Sequence, residues 1–278
     1  MSDDNRILIG DCLEHLAALD AGSVQTCVTS PPYYGLRDYG HDGQIGLESS
    51  PADYIAKMVE VFAAVRRVLR DDATLWVNLG DTYADKRLMG IPWRVALALQ
   101  DDGWHLRSEV IWHKPNAMPE NTPDRPGRDH ETVFLMSKMR RYYFHAEAIS
   151  APAKRAGERV RNGPRSLSRR QAAGIGAAPH GGALADSYTV RDTRRPRTVW
   201  SLPTETYADA HFACWPTALV RRMILAGCPP GGVVLDPFFG SGTTGAVAEQ
   251  EGRRWIGIEL NPDYLPLIHK RTAQRGLY

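Results

Sequence analysis

The stretch Gly232-Val233-Val234-Leu235-Asp236-Pro237-Phe238-Phe239-Gly240-Ser241-Gly242-Thr243-Thr244-Gly245 decides the fold. Its first four residues read as a buried strand, the glycines as a tight turn, and the residues from Thr243 as the start of a helix. That succession makes a cradle for a nucleotide-like ligand, because backbone N–H groups at a helix N-terminus can approach it closely. Trp255-Ile256-Gly257-Ile258 reads as the next strand and closes on Glu259. An acidic side chain about twenty residues after the glycines can accept from ribose hydroxyls. The spacing is not GxGxxG, and Asp236-Pro237 ends the strand, which weighs against a nicotinamide dinucleotide. No Lys follows the glycines, which excludes a Walker loop. A tight turn that holds no ligand is the alternative this stretch alone leaves open.

Working outward, strands alternate with helices. Arg6–Ile9 reads as a strand, Cys12 to Leu19 as an amphipathic helix, and Val24–Val28 as a strand ending at Ser30. Pro51 opens a long helix through Leu69, with Ile55, Met58, Val59, Phe62, Val65 and Leu69 at helical spacing. Further strands are expected at Ala73–Leu79, His105–Trp112 and Thr198–Ser201, and a strand pair at Thr132–Met136 and Tyr142–Phe144. Helices are expected at Pro92–Gln100, Pro216–Ala226 and from Pro262. The alternation predicts an α/β domain with a mostly parallel sheet covered on both faces.

The strand ending at Ser30 runs into Thr29-Ser30-Pro31-Pro32-Tyr33-Tyr34-Gly35. Two prolines fix φ and remove two N–H donors, and the residue before each is held extended. The local carbonyls become rigid acceptors with a hydroxyl before them and two aromatic rings after. This suits a flat molecule stacked on a ring while its amino group is held by acceptors; a plain Pro-rich turn is the other reading.

The chain has 278 residues and a net charge of +2. Between Lys154 and Arg197, eleven Lys and Arg stand against three carboxylates, so this segment carries +8 and the remainder −6. Such a block marks a polyanion partner, or a solvated loop, since its glycines and small residues weaken any core. No apolar run is long enough to cross a bilayer, and the acidic N-terminus is unlike a signal peptide, so a cytoplasmic protein is expected. Cys12, Cys27, Cys214 and Cys228 show no CxxC spacing and read as buried thiols; no histidine pair has metal-ligand spacing, so no metal site is expected.

TSPPYYG (29–35) followed by DPFFGSGTTG (236–245) resembles the S-adenosylmethionine-dependent DNA amino-methyltransferases, whose substrate is the exocyclic amine of cytosine (N4) or adenine (N6). The order, with the catalytic motif first and the cofactor motif last, resembles their permuted class. IGDCLEHL (9–16), TLWVNLGD (74–81), WHKPNAMP (112–119) and HFACWPTALVRRMI (211–224) also have counterparts there.

The resemblance implies a Rossmann-like sheet of the class I methyltransferase type with an inserted target-recognition region. The corresponding segments are 1–149 (catalytic half), 150–200 (basic insertion) and 201–278 (cofactor half). It implies S-adenosyl-L-methionine as cofactor, with Asp236, Phe238, Gly240 and Gly242 along its methionine side and Thr243 and Thr244 near its carboxylate. Glu259 would take the ribose hydroxyls and Asp11 the adenine amine, although a helix N-cap is an equal reading of Asp11. Ser30, Pro31, Pro32 and Tyr33 would form the catalytic loop. Ser30 Oγ and the Pro31 carbonyl would accept the amine hydrogens, and Tyr33 would stack on a flipped base. His113, Lys114 and Pro115 would flank that base, or belong to a solvated loop. Cytosine C5 chemistry is disfavoured, because Cys228-Pro229 reverses the Pro-Cys order it needs.

Ser at position 30, where many adenine enzymes of the family carry Asp, points to cytosine N4. Adenine N6 is the alternative, and a catalytically silent DNA-binding protein the alternative from another class. Arg155, Arg159, Arg161, Arg165, Arg169, Arg170, Arg194 and Arg195 would contact double-stranded DNA, mostly at phosphates. A cognate restriction endonuclease is a candidate partner.

Overall fold

The computed structural model describes residues 5–154, 156–161, 187–189, 192–205 and 215–273, with side chains everywhere except 159–161 and 187–189. It separates into two compact units, Met1–Ala148 with Arg197–Tyr278, and Ile149–Pro196.

The larger unit is built on one eight-stranded sheet. In chain order its strands are β1 (Arg6–Ile9), β2 (Val24–Thr29), β3 (Leu69–Leu79), β6 (His105–His113), β7 (His130–Ser137), β12 (Val199–Ser201), β13 (Val233–Asp236) and β14 (Arg254–Glu259). The short ribbon β4 (Tyr83–Ala84) and β5 (Arg87–Leu88) lies between β3 and the next helix. The spatial order is β1-β14-β13-β2-β3-β7-β6-β12, and β7 alone runs against the others. Chain order therefore diverges between β13 and β2, which lie side by side. In an open α/β sheet such a reversal leaves a crevice beyond the carboxyl ends of the strands.

Helices α1 (Cys12–Ala18), α2 (Pro51–Val68) and α3 (Ile91–Asp101) pack together over one face, and α4 (Thr217–Gly227), α5 (Thr243–Gln250) and α6 (Leu265–Ala273) over the other. α2 forms because Pro51 sits in its first turn and Ser50 Oγ caps Asp53 N at 3.2 Å. Its stripe of Tyr54, Met58, Val61, Phe62, Val65 and Val68 is buried, each such side chain contributing about 1.5–3 kcal/mol. Cys12, Cys27 and Cys228 are buried free thiols, and Cys214 lies outside the described residues.

One expected strand is absent. Tyr142–Phe144 has no ladder partner; Tyr143 N donates to Asp72 O at 2.8 Å instead. The physical reason is that both edges of β7 are already taken, by β3 on one side and β6 on the other.

The smaller unit holds two antiparallel ribbons, β8 (Ala151–Pro152) with β11 (Thr193–Arg194) and β9 (Arg159–Arg161) with β10 (Ser187–Thr189). Arg194 and Arg195 are exposed on it. Arg155, Arg165, Arg169 and Arg170 lie outside the described residues, and Arg159 and Arg161 are described by backbone alone. Among the described residues no helix is long and apolar enough to cross a membrane.

Candidate active site

β13 and β2 end side by side, at Asp236 and Thr29, and their side chains meet. Thr29 Oγ1 donates to Asp236 Oδ1 at 2.7 Å, Phe238 N donates to the same oxygen at 3.1 Å, and Thr244 Oγ1 donates to Oδ2 at 2.6 Å. Burial raises the pKa of the Asp236 carboxyl to about 6, against the pull of these three donors. Asp236 thus ties the start of the glycine turn, the first turn of α5 and the end of β2 together.

The turn itself is shaped by glycines. Gly240 and Gly242 have φ of +53° and +82°, a region that disfavours side chains. Phe239 fills the space left by two more: a Cβ on Gly257 would stand 2.3 Å from its ring, and one on Gly245 2.5 Å. That ring stacks on Trp255, with centroids 5.1 Å apart. α5 begins at Gly242 with no side-chain cap, leaving first-turn N–H groups for an anion. Glu259 Oε2 accepts from Gly240 N at 2.6 Å and Oε1 from Asn261 N at 2.9 Å, while burial raises its carboxyl above the ordinary value. Each oxygen keeps a second lone pair for a hydroxyl. Asp11, at the end of β1, caps α1: its Oδ1 accepts from Leu13 N at 2.8 Å and Glu14 N at 3.1 Å. Among the described residues its Oδ2 receives no hydrogen bond.

Ser30 follows Thr29 directly, so the proline loop starts where the cofactor cradle ends. Pro31 is buried; its carbonyl receives no hydrogen bond among the described residues, whereas the Pro32 carbonyl accepts from Tyr54 OH at 2.8 Å. Ser30 Oγ lies 3.2 Å from Tyr33 OH. Tyr33 OH donates to Glu131 Oε2 at 2.7 Å. Asn78 Nδ2 reaches Tyr33 OH and Glu131 Oε2, both at 2.7 Å, and Ser30 Oγ at 3.3 Å. Lys114 Nζ holds Glu131 Oε1 at 2.5 Å and stands 4.5 Å from the Trp112 ring centroid. Burial, then the Glu131 charge, pushes the Tyr33 phenol well above its ordinary value, so it stays a donor. Its ring rests on Gly80, where a Cβ would come within 2.5 Å.

The structure thus brings Ser30, Pro31, Tyr33, Asp236, Thr243, Thr244 and Glu259 to the carboxyl edge of the sheet. Lys114 turns inward onto Glu131, while His113 is half-buried, its Nδ1 3.0 Å from Ser201 Oγ. Thr29, Asn78 and Glu131 escaped the sequence reading. Asn78 did carry a signal: it is a polar residue inside the buried run Leu75–Leu79.

The N6/N4-type family model described as "DNA methylase" matches residues 24–270. The chain belongs to that family. Among curated DNA methylases, the type II methyltransferase M.Cfr9I of Citrobacter freundii is 43% identical over 94% of this chain and 85% of its own. M.SmaI of Serratia marcescens is 41% identical over 97% and 91%. In fold, the methylase is similar to the PvuII DNA methyltransferase (cytosine-N4-specific), at a TM-score of 0.73 and 21% identity over 100% of this chain and 89% of that one. It is also similar to a putative DNA modification methylase of Thermus thermophilus in complex with S-adenosyl-L-methionine (TM-score 0.61, 24% identity, 97% and 95% covered). The protein is a DNA methyltransferase of the amino-methylating family, and its cofactor is S-adenosyl-L-methionine. The uncapped α5 terminus, the glycine turn and the buried Glu259 fit a ligand with a carboxylate at one end and a ribose in the middle.

Proposed function

We propose that this methyltransferase modifies N4 of a cytosine rotated out of duplex DNA. The observation that carries this reading is the neutral pair of acceptors at the start of the proline loop, Ser30 Oγ and the Pro31 carbonyl. No carboxylate stands at position 30; the nearest in the network, Glu131, connects to Ser30 through Tyr33 and Asn78.

The amine lone pair of cytosine is conjugated with its ring and is a poor nucleophile. Accepting its two N–H bonds at Ser30 and Pro31 draws the nitrogen towards tetrahedral geometry, and stabilises the positive charge that develops on it. Bound S-adenosylmethionine supplies a sulfonium methyl group. First-turn N–H groups at Thr243 and Thr244 receive its carboxylate, Glu259 its ribose hydroxyls and Asp11 its adenine amine. Phe238, Gly240 and Gly242 line its methionine side, and Asp236 holds that wall in place rather than contacting the ligand. Tyr33 packs on the flipped base. The arginines of segment 150–200, including exposed Arg194 and Arg195, bind phosphate and neighbouring base edges. The type II relatives suggest a cognate restriction endonuclease as functional partner.

Adenine N6 is the second reading, because the same acceptors suit either amine. Unmethylated genomic DNA incubated with protein and S-adenosylmethionine, then digested to nucleosides for mass spectrometry, separates them. N4-methylcytosine is expected; N6-methyladenine would reverse the base, and the absence of both products would contradict the reading.

A further inference from the structure

We propose that Glu131 is a positioning residue that sets the direction of the hydrogen bonds ending at Ser30, so that Ser30 meets the target base as an acceptor only. The inference rests on the role given to Ser30 above and extends it to how the site selects an amine.

The chain of protons has one consistent direction. An ionised carboxylate only accepts. Glu131 Oε1 takes the Lys114 ammonium at 2.5 Å, and Oε2 takes Tyr33 OH and Asn78 Nδ2 at 2.7 Å each. Tyr33 has a single proton, and Glu131 holds it. The phenol oxygen, already receiving Asn78 Nδ2 at 2.7 Å, can only accept from Ser30, 3.2 Å away. Two other groups lie near Ser30 Oγ: Asn78 Nδ2 at 3.3 Å, whose two protons go to Tyr33 OH and Glu131 Oε2 at the shorter 2.7 Å, and the Asn78 main-chain carbonyl at 3.4 Å, again an acceptor. Ser30 therefore directs its proton into the protein and its remaining lone pairs outward. Pro31 and Pro32 have no N–H that could turn it back.

A second observation supports this direction. Asn78 is buried and its Oδ1 has no hydrogen-bond partner among the described residues. Turning the amide over would set that oxygen against the carboxylate, so the site leaves one acceptor unpaired to keep Nδ2 facing Tyr33 and Glu131. Aligned hydrogen bonds also polarise one another, which strengthens Ser30 as an acceptor while charge builds on the amine. A base presenting a carbonyl where cytosine and adenine present an amine meets an acceptor and is refused.

The test uses the full-length protein and variants Glu131→Gln, Tyr33→Phe and the double variant, with kcat and KM for unmethylated DNA and cofactor affinity by calorimetry. Glutamine can donate as well as accept, which removes the direction; phenylalanine keeps the ring on Gly80 but cuts the chain. Each single variant is expected to lose on the order of 10²-fold in kcat with KM and cofactor affinity unchanged. The double variant should be no worse than either single one, since both break the same chain. Wild-type kcat in Glu131→Gln, losses that multiply in the double variant, or loss of cofactor binding in both single variants overturns the inference. A wild-type protein that methylates no amine instead overturns the underlying reading of Ser30, and that outcome is read in the wild-type arm alone.

Discussion

The Thr29 hydroxyl donates to the Asp236 carboxylate across 2.7 Å, joining residues 207 apart in sequence at the ends of two adjacent parallel strands. Ser30 is the next residue on one side, and the glycine turn begins on the other. This contact ties the proline loop to the glycine turn. The carboxylate is buried and its pKa is raised to about 6 from an ordinary 3.8, with burial as the largest cause. A carboxyl whose folded value is raised adds most stability below its unfolded value, and that contribution is lost as pH rises through the folded value. Asp236→Asn cannot ionise, so its stability relative to wild type should rise between pH 4 and 7, by up to about 3 kcal/mol. Urea unfolding of both proteins across that range measures it; a flat difference, or one of opposite slope, contradicts the assignment.

Ser30→Ala removes one of the two acceptors proposed for the amine and touches no cofactor residue. Methyl transfer should fall on the order of 10²-fold or more while cofactor affinity stays within a factor of about two, read by single-turnover assay and calorimetry. Equal losses in both would move Ser30 from chemistry to structure.

Gly257→Ala places a Cβ 2.3 Å from the Phe239 ring. Phe239 N is held by Ile258 O at 2.9 Å, so the ring cannot move without pulling the glycine turn. Overpacking of this kind costs about 1–3 kcal/mol, a fall in Tm of several degrees, and cofactor affinity should drop with it. A thermal melt with and without S-adenosylmethionine reads both effects.

Arg194→Ala with Arg195→Ala should weaken binding to all duplex sequences alike if these exposed side chains contact phosphate. The slope of log affinity against log salt should then flatten by about one unit per arginine. Sequence-selective loss would assign them to base edges instead.

Much of this architecture can be read from the chain. Val233–Leu235 and Trp255–Ile258 are short apolar runs closed by acidic residues, Val24–Val28 mixes apolar with polar residues, and each lies in a strand of the sheet. Glu259 and Asp236 stand at strand ends, where local pattern is enough to find them. The network around Ser30 is different, because Asn78 and Glu131 lie 48 and 101 residues beyond it and meet it only through pairing of β3 with β2 and β7. Periodicity marks both strands but carries no sign for direction, so the reversal of β7 that brings Glu131 to the carboxyl edge is invisible in sequence. For the same reason Tyr142–Phe144, aromatic enough for a strand, finds no free edge. Asp11 shows the converse: its cap on α1 is local and was legible as one of two readings.

The most direct test of the central claim is the bond itself. Duplex DNA with ¹⁵N at the cytosine amine is incubated with the protein and S-adenosylmethionine carrying a ¹³C methyl group, and the product is examined by NMR. The account predicts a one-bond carbon–nitrogen coupling between the new methyl group and cytosine N4. A labelled methyl group found in the DNA without that coupling would contradict it.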